Sequence, residues 1–391
     1  MKVIVISFQS LTERGAAGTG RLGYAIASRL HDMQMDVSFV VSAKGNFKTE
    51  FVSGPVHKIS RYYLWLINWG YRIGLISTHV KRHIEEVLFD WFCRPLVSHD
   101  VQLVVSTNCH IPNTLARCSK LGVRSVLIPG NPADTKIFDT LMNEMERWKV
   151  NTTDPYTYEP RLRNYRRAVS AAKSIVCHSS VIHETFKLKF PGSNVRACYG
   201  VIKQTGSREP KAGLPVNEGK LIVLYVGYTV LLKGLQYLLS AWAEFDNEES
   251  ELWIVGSIDP SMQQIINRDF SNLARVKYFG VRHDIGEYYR QASLVVVPSL
   301  LDGGPVTPLE AMEYDVPVAL TDGCGMKDII RNGENGFIVK TGDAKEILEI
   351  IKFCSDHRHE AVRIGIAGGQ TLDLQNFDRF IENLTVATLD K

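Results

Sequence analysis

The sequence predicts an α/β protein built from two doubly wound domains, each with a parallel sheet. Its 391 residues are enough for two sizeable domains. Short runs rich in valine and isoleucine alternate with longer segments of helical periodicity, which is the pattern of βαβ units. A polar, turn-rich segment at 203–218, with Gly206, Pro210, Gly213 and Pro215, separates two such series and is the predicted linker.

The first series predicts a domain over residues 1–202. Its strands are expected at 2–8, 36–42, 101–106, 124–128, 174–178 and 195–198. Its helices are expected at 20–33, 62–92, 112–120, 160–172 and 180–189. Because strands alternate with helices, the connections should be crossovers and the sheet parallel.

The second series predicts a domain over residues 219–370. Its strands are expected at 221–226, 251–255, 275–279, 293–297 and 316–320. Its helices are expected at 233–245, 261–270, 284–291, 308–314 and 343–353. In such folds, ligands bind beyond the carboxyl ends of the strands, so the candidate site residues should follow strands.

Composition is that of an ordinary globular protein, with 45% apolar and 22% charged residues. The seven cysteines form no CxxC pair, which fits reduced thiols in a cytosolic protein better than disulfides or a zinc site. No stretch is long and apolar enough to span a membrane, and the first residues predict a strand rather than a signal peptide. We therefore expect a cytoplasmic location.

Charge is distributed unevenly along the chain. Residues 1–200 hold 26 Lys and Arg against 15 Asp and Glu, a net charge of +11, whereas residues 201–391 hold 19 against 27, a net charge of −8. The segment 61–83 mixes aromatic residues with cations, which suits either an anionic membrane surface and a lipid-linked acceptor or a core helix with basic flanks. Nucleic acid is not an expected partner, because no recognition motif accompanies these residues.

A second basic cluster lies on the predicted helix at 160–172. It consists of Arg161, Arg163, Arg166 and Arg167. Four arginines within seven residues are most simply explained by a solvated helix face, and we expect that here.

The segment with the densest chemical signal is 298–312, a glycine loop between a buried strand and a helix. Gly303 and Gly304 would let a phosphate approach the backbone, and Asp302 and Glu310 flank the loop. The residues expected around that phosphate are Gly303, Gly304, Val306 and Thr307. An alternative is purely structural, because Thr307 and Glu310 also have the spacing of a helix capping box.

This segment resembles the signature of retaining, nucleotide-sugar-dependent glycosyltransferases of the group 1 type. That family has the GT-B fold, in which two Rossmann-like domains face a central cleft, and it carries two glutamates with seven residues between them around a glycine loop. The similarity continues through 316–318, 323–325 and 330–336 and covers the chain from the first strand to about residue 355. In this fold the last helix commonly crosses back to the first domain, so 371–391 is expected to supply such a helix.

Further motifs extend the resemblance. The stretch 227–234, with Gly227, Tyr228 and Lys233, is similar to the turn where the family's Arg and Lys hold the donor diphosphate. Lys233 would then stabilise charge on the leaving diphosphate, although a lysine that opens an exposed helix is often merely solvated. Glu310 would accept ribose hydroxyls.

Three shorter matches complete it. Gly280 and Val281 resemble the loop whose backbone contacts the base, and Gly18 and Gly20 resemble the loop that faces the donor phosphates. His110 looks like the family's cleft histidine, which would hydrogen-bond a sugar hydroxyl or the acceptor; a satisfied structural histidine is the alternative.

Several positions depart from the family pattern. Asp302 replaces the first glutamate of the motif, and its shorter side chain would accept hydroxyls of the transferred sugar. Tyr228 replaces the arginine, for which Arg282 would compensate. Pro305 and Asp315 each stand where glycine is usual. These changes bear on donor type and activity rather than on the fold.

The resemblance implies transfer of a hexose from a nucleotide sugar to an acceptor hydroxyl, with retention and with no metal or other cofactor. A polysaccharide or lipid-linked glycan would be the acceptor, and the basic N-terminal domain would contact the inner face of an anionic membrane peripherally. An epimerase on the same fold and a non-catalytic nucleotide-sugar-binding protein are the alternatives. An NAD-dependent oxidoreductase is disfavoured because 15–20 lacks GxGxxG spacing.

Overall fold

The computed structural model describes residues 1–12, 15–16, 18–55, 60–200, 220–375 and 377–390. The described residues form two compact units. The first lies within Met1–Phe138, Thr153–Ile202 and Phe377–Lys391, and the second within Asp139–Thr152 and Lys203–Asn376. The predicted linker at 203–218 lies outside the described residues. Among the helices that are described, none has the length and apolar character needed to cross a membrane.

The first unit contains a seven-stranded parallel sheet. Its chain order of strands is β1 (Lys2–Ile6), β2 (Leu11–Thr12), β3 (Gly15–Ala16), β4 (Asp36–Val41), β5 (Val52–Pro55), β6 (Leu103–Ser106), β7 (Arg124–Leu127), β8 (Ser174–Cys177) and β9 (Val195–Ala197). The sheet order is β5-β4-β1-β6-β7-β8-β9, and β2 and β3 form a separate antiparallel pair. Strands after β1 are added first on one side and then on the other, so β1 and β6 flank the switch point where ligands bind in such sheets.

Helices cover both faces of this sheet. They are α1 (Thr19–Asp32), α2 (Ser60–Arg72), α3 (Thr78–Cys93), α4 (Pro112–Leu121), α5 (Asp134–Trp148), α6 (Glu159–Ala171) and α7 (Ser180–Lys189). Alternate residues of β1 serve two apolar cores: Ile4 and Ile6 pack with α3, α4, α6 and α7, whereas Val3 and Val5 pack with α1. Such two-sided burial explains why the strands read as continuous apolar runs.

The single helix expected at 62–92 is wrong, because α2 and α3 are separate. Gly74 adopts φ of +76°, a left-handed conformation that glycine tolerates best. The Leu75 N–H then donates to the carbonyl oxygen of Gly70 at 3.0 Å, which terminates α2.

The second unit contains a six-stranded parallel sheet. Its strands are β10 (Leu221–Val226), β11 (Ser250–Val255), β12 (Val276–Gly280), β13 (Leu294–Val297), β14 (Val318–Thr321) and β15 (Phe337–Val339). Its helices are α8 (Leu235–Ala243), α9 (Pro260–Asp269), α10 (Gly286–Gln291), α11 (Thr307–Glu313), α12 (Ala344–Asp356) and α13 (Arg358–Asp373). The sheet order β12-β11-β10-β13-β14-β15 places the switch point between β10 and β13.

Two helices connect distant parts of the chain. The final helix, α14 (Phe377–Leu389), packs in the first unit, where the Arg29 guanidinium contacts Glu382 at 2.7 Å. The second half of α5 belongs to the second unit, where the buried Glu144 carboxylate accepts hydrogen bonds from Gln236 and Tyr237 at 3.1 and 2.7 Å. The two parallel sheets with flanking helices confirm the predicted α/β class.

Candidate functional site

Two loops meet at the switch point of the second sheet. One follows β10 and includes a short 3-10 helix, Leu231–Lys233, and the other, 298–306, joins β13 to α11. The Leu300 N–H donates to the carbonyl oxygen of Leu232 at 2.8 Å, which ties the loops together. Gly234 has φ of +71°, and a Cβ there would lie 1.8 Å from the carbonyl oxygen of Pro298. Only glycine therefore allows this close approach.

Lys233 and Asp302 lie in these two loops and contact each other. The Lys233 ammonium donates to the Asp302 carboxylate, with the lysine side chain about a third exposed (36%). Burial lowers the pKa of Lys233, but the Asp302 charge outweighs that effect, so the pKa lies above its ordinary value. Gly304 donates its N–H to the other Asp302 oxygen at 3.3 Å. The structure thus brings together two predicted site residues 69 positions apart.

Glu310 has a tyrosine partner that the sequence did not suggest. The Tyr289 hydroxyl, fully buried on α10, donates to the Glu310 carboxylate at 2.7 Å. Burial raises the pKa of Tyr289 well above its usual value, and the Glu310 charge raises it further. This hydrogen bond fixes one Glu310 oxygen.

The capping role considered for Thr307 is wrong. Val306 occupies the N-cap position of α11 and makes no side-chain capping hydrogen bond. Thr307 is the first helical residue, and its hydroxyl donates to the carbonyl oxygen of Val226 at the end of β10, at 3.2 Å. Thr307 therefore joins α11 to the strand that precedes the Lys233 loop. Gly303 is buried and Gly304 exposed in the same loop.

In the first unit, His110 follows β6 and is buried, with 5% of its surface exposed. Its Nε2 lies 3.0 Å from a carboxylate oxygen of Asp134, and its Nδ1 lies 3.6 Å from one of Glu86. Nδ1 has no hydrogen-bond partner among the described residues. Nε2 thus has the carboxylate partner expected of a structural histidine, and the sugar or acceptor contact of His110 stays a prediction.

Arg161 joins the same two carboxylates, so its expected place on a solvated face is wrong. Its guanidinium contacts Glu86 at 2.8 Å and Asp134 at 2.9 Å, and the residue is buried. Arg82 also contacts Glu86, at 2.7 Å. Burial alone would raise the pKa of Glu86, but the charge of Arg161 and the other nearby cations lower it to about 2. The remaining three arginines of the cluster are exposed, as predicted.

Gly18 and Gly20 lie at the start of α1. Gly18 is the N-cap residue with φ of +49°, and Gly20 is buried in the first turn. Residues 13–14 and 17, which precede them in the chain, lie outside the described residues.

Comparisons with known proteins concern the family and the fold. Residues 207–370 match the family model for group 1 glycosyl transferases. This region of the chain belongs to that family. An uncharacterised glycosyltransferase from Haemophilus influenzae is 28% identical over 192 residues, which cover 46% of this chain and 51% of the relative.

A second relative has a defined activity. The N,N'-diacetylbacillosaminyl-diphospho-undecaprenol alpha-1,3-N-acetylgalactosaminyltransferase of Campylobacter jejuni is 29% identical over 164 residues, 41% of this chain and 42% of the relative. The chain thus spans about half the length of the curated relatives that it matches.

Solved structures share the fold over the whole chain. Anabaena HepE in complex with UDP and glucose has a TM-score of 0.67 and 16% identity, covering 100% of this chain and 99% of that one. Sucrose-phosphate synthase from Thermosynechococcus elongatus gives the same TM-score and identity, with 100% and 98% coverage. The GT-B fold expected from the sequence is confirmed.

Within the group 1 region, Tyr228 stands where the family has arginine. Its half-exposed ring follows Gly227, and its hydroxyl donates to Asp259 at 2.9 Å. Asp259 also caps α9 by accepting from the Ser261 N–H at 2.9 Å. Tyr228 therefore joins the Lys233 loop to the start of α9 instead of supplying a cation.

Three further predicted donor-binding residues, Gly280, Val281 and Arg282, lie at the end of the edge strand β12. Gly280 ends this strand with φ of +65°, and Val281 is exposed. Arg282 lines a cavity of about 400 Å³, which also includes the side chains of Trp253 and Tyr288. Arg282 follows β12, whereas the Lys233 loop follows β10, and β11 lies between these two strands in the sheet. Its expected substitution for the missing arginine stays a prediction.

Sequence reasoning missed the residues that surround His110 and Glu310. On α3, Arg82, Glu86 and Asp90 are spaced by four and lie on the face that carries the buried Phe89 and Cys93. Acids on an apolar helix face must find partners, and this spacing was the available signal. No comparable signal pointed to Tyr289. Within the described part of the chain, no cluster of His, Cys, Asp or Glu could hold a metal ion.

Proposed function

We propose that this protein is a retaining glycosyltransferase that moves a hexose from a nucleotide sugar to an acceptor hydroxyl. The observation that carries the proposal is the contact between Lys233 and Asp302 at the switch point of the second sheet, which lies within the region that matches the group 1 family. An ammonium that is part exposed and held by one carboxylate can exchange that partner for a phosphate. The donor diphosphate would displace Asp302 from Lys233, and Asp302 would then accept hydroxyls of the transferred sugar.

The unit that contains 219–370 would be the donor side, and the unit that contains most of 1–202 the acceptor side. Gly303 and Gly304 would let the phosphates approach the backbone, and Glu310 would accept two ribose hydroxyls. Gly280 and Val281 would contact the base. His110 would offer Nδ1 to the sugar or the acceptor, since Asp134 already contacts Nε2.

In the reaction, the bond between the anomeric carbon and the phosphate oxygen breaks as the acceptor oxygen bonds to that carbon from the same face. Negative charge builds on the leaving diphosphate, whose oxygen takes up the proton that the acceptor hydroxyl loses. Lys233 would stabilise that charge, so the reaction would not need a divalent metal. The family resemblance supports retention.

We propose a polysaccharide or lipid-linked glycan as the acceptor. The Campylobacter jejuni relative carries diphospho-undecaprenol in its name, and two further relatives, from Staphylococcus aureus and Rhizobium meliloti, are named for capsular polysaccharide and lipopolysaccharide core biosynthesis. The net charge of +11 on residues 1–200 suits acceptors held at an anionic surface. The seven free cysteines suit the cytoplasm, so we place the protein peripherally at the inner face of a membrane.

The donor site is tested by calorimetry and thermal shift with UDP-, GDP-, ADP- and dTDP-sugars. One class of donor should raise the melting temperature by mass action, with or without EDTA. Lys233→Met and Glu310→Gln should each weaken donor binding at least about tenfold, because each removes a charged contact. Lys352→Met, at an exposed position on α12, is the matched control and should bind as the wild type does.

If no donor raises the melting temperature of the wild type, the transferase proposal is refuted. If a donor raises it without EDTA but not with EDTA, the proposed metal independence is refuted. The Tyr228 contact with Asp259 keeps a non-catalytic nucleotide-sugar-binding protein as a second candidate, because it leaves the loop without the family's second cation. A donor that binds but is neither hydrolysed nor transferred would favour that candidate. Donor epimerised without acceptor would favour an epimerase.

A further inference from the structure

The helix α2 exposes a continuous apolar stripe. Trp65 and Trp69 are 60% and 53% exposed, and Tyr62, Leu66 and Ile73 are exposed as well. At 100° per residue these five positions fall within about 100° of arc, so they form one face of the helix. An ordinary surface helix buries its apolar stripe and exposes its polar one.

Another side of α2 contacts α3, and Tyr63 on that side is 42% exposed. Tyr63 lies against Phe92 of α3, with ring centroids 6.4 Å apart. The core-helix explanation of this aromatic segment is therefore wrong, since the stripe faces away from the first unit. Large exposed apolar patches mark interaction surfaces.

Charge on this segment has one sign. Helix α2, residues 60–72, contains no Asp or Glu and holds two cations, Arg61 and Arg72, whereas Lys81 and Arg82 of α3 are already paired with Glu85 and Glu86. Arg72, at the end of α2, is exposed. Two copies of the chain that met through this stripe would bring like charges together, with no acid in the segment to pair with them. Anionic lipid headgroups complement such a surface.

We propose that α2 lies in the headgroup region of an anionic bilayer and inserts Tyr62, Trp65, Leu66, Trp69 and Ile73. Indole and phenol rings have an apolar body and a polar tip, which suits the boundary between headgroups and acyl chains. A helix of 13 residues is about 20 Å long, so it lies on the membrane rather than across it. The inference deepens the proposed membrane location, but it requires neither donor nor acceptor.

The test is sedimentation of the full chain with vesicles of phosphatidylcholine alone or with phosphatidylglycerol as the anionic lipid, in the absence of any sugar donor. The wild type should bind the anionic vesicles, with a blue shift of tryptophan fluorescence. Trp65→Gln/Trp69→Gln should bind at least about tenfold more weakly and lose that shift, because the buried apolar area falls. Leu188→Gln/Val386→Gln removes two exposed apolar side chains elsewhere in the first unit and should bind as the wild type does.

Two results would overturn the proposal: no binding of the wild type to anionic vesicles, or equal binding by the double tryptophan variant. A wild-type dimer that this variant converts to a monomer would assign the stripe to self-association instead. Circular dichroism verifies that the variants fold. Donor binding, measured separately by calorimetry, distinguishes failure of this proposal from failure of the transferase proposal.

Discussion

The carboxyl edges of the two sheets use charge differently. In the first unit, Glu86, Asp134 and Arg161 are buried and satisfy one another. In the second unit, Lys233 remains about a third exposed and contacts one carboxylate, that of Asp302. A buried network with every charge paired resists exchange, since losing one member leaves the others uncompensated. A part-exposed pair can be opened by an anionic ligand, so the difference supports binding of the donor diphosphate at Lys233 rather than at Arg161.

The sharpest test of this comparison removes Arg161. Arg161→Met should lower the free energy of unfolding by about 3–5 kcal/mol, because Glu86 and Asp134 lose a buried cation. Arg166→Met is the control: its exposed contact with Glu159 should contribute at most about 1 kcal/mol. Urea unfolding of both variants measures the difference. Equal losses would mean that the buried network does not support the first unit.

A second test uses the pH dependence of the same network. The pKa of Glu86 falls from 4.5 to about 2 on folding, so its ionised form stabilises the native state above pH 4.5 and this contribution is lost as the pH falls towards 2. The shift corresponds to about 3 kcal/mol at neutral pH, of which about 2 kcal/mol should be gone at pH 3. The stability difference between wild type and Glu86→Gln should shrink by that amount.

Glu184→Gln, at an exposed position on α7, provides the baseline for this experiment. Its difference from the wild type should vary less between pH 6 and pH 3 than that of Glu86→Gln. A Glu86→Gln difference that stays constant over this range would show that the glutamate does not titrate with folding, contrary to the paired network.

The comparison also explains what sequence could and could not predict. The strands β10 and β13 are buried on both faces, so they read as unbroken apolar runs, and the loops after them had to meet at the switch point. That logic placed Asp302 in a loop after a buried strand, whereas the resemblance to group 1 glycosyltransferases pointed to Lys233. The burial of Arg161 depends on a glutamate 75 positions away, which no local pattern reports.

The strand β15 and the division of α5 between the units were not predicted, for a different reason. The strand β15 has three residues, too few for a period of two to stand out. The helix α5 begins in the first unit, but its residue Glu144 belongs to the second unit and accepts a hydrogen bond from Tyr237 there. The pattern of apolar residues in a helix shows which side faces the core of its own unit. It carries little information about a helix whose two halves belong to different units.

The smallest expected effect concerns the hydrogen bond between Tyr289 and Glu310. Tyr289→Phe keeps the ring and removes only the hydroxyl, so stability should fall by about 1 kcal/mol. If the tyrosine orients Glu310 for the donor, donor affinity should also fall by about fivefold, less than for Lys233→Met, because the Glu310 charge remains. Tyr237→Phe removes a hydroxyl that likewise donates to a glutamate, Glu144, at 2.7 Å, and should leave donor affinity unchanged. Donor titration by calorimetry compares the three variants. If Tyr289→Phe binds the donor as the wild type does while Lys233→Met binds it more weakly, the donor contacts made by Glu310 do not depend on Tyr289.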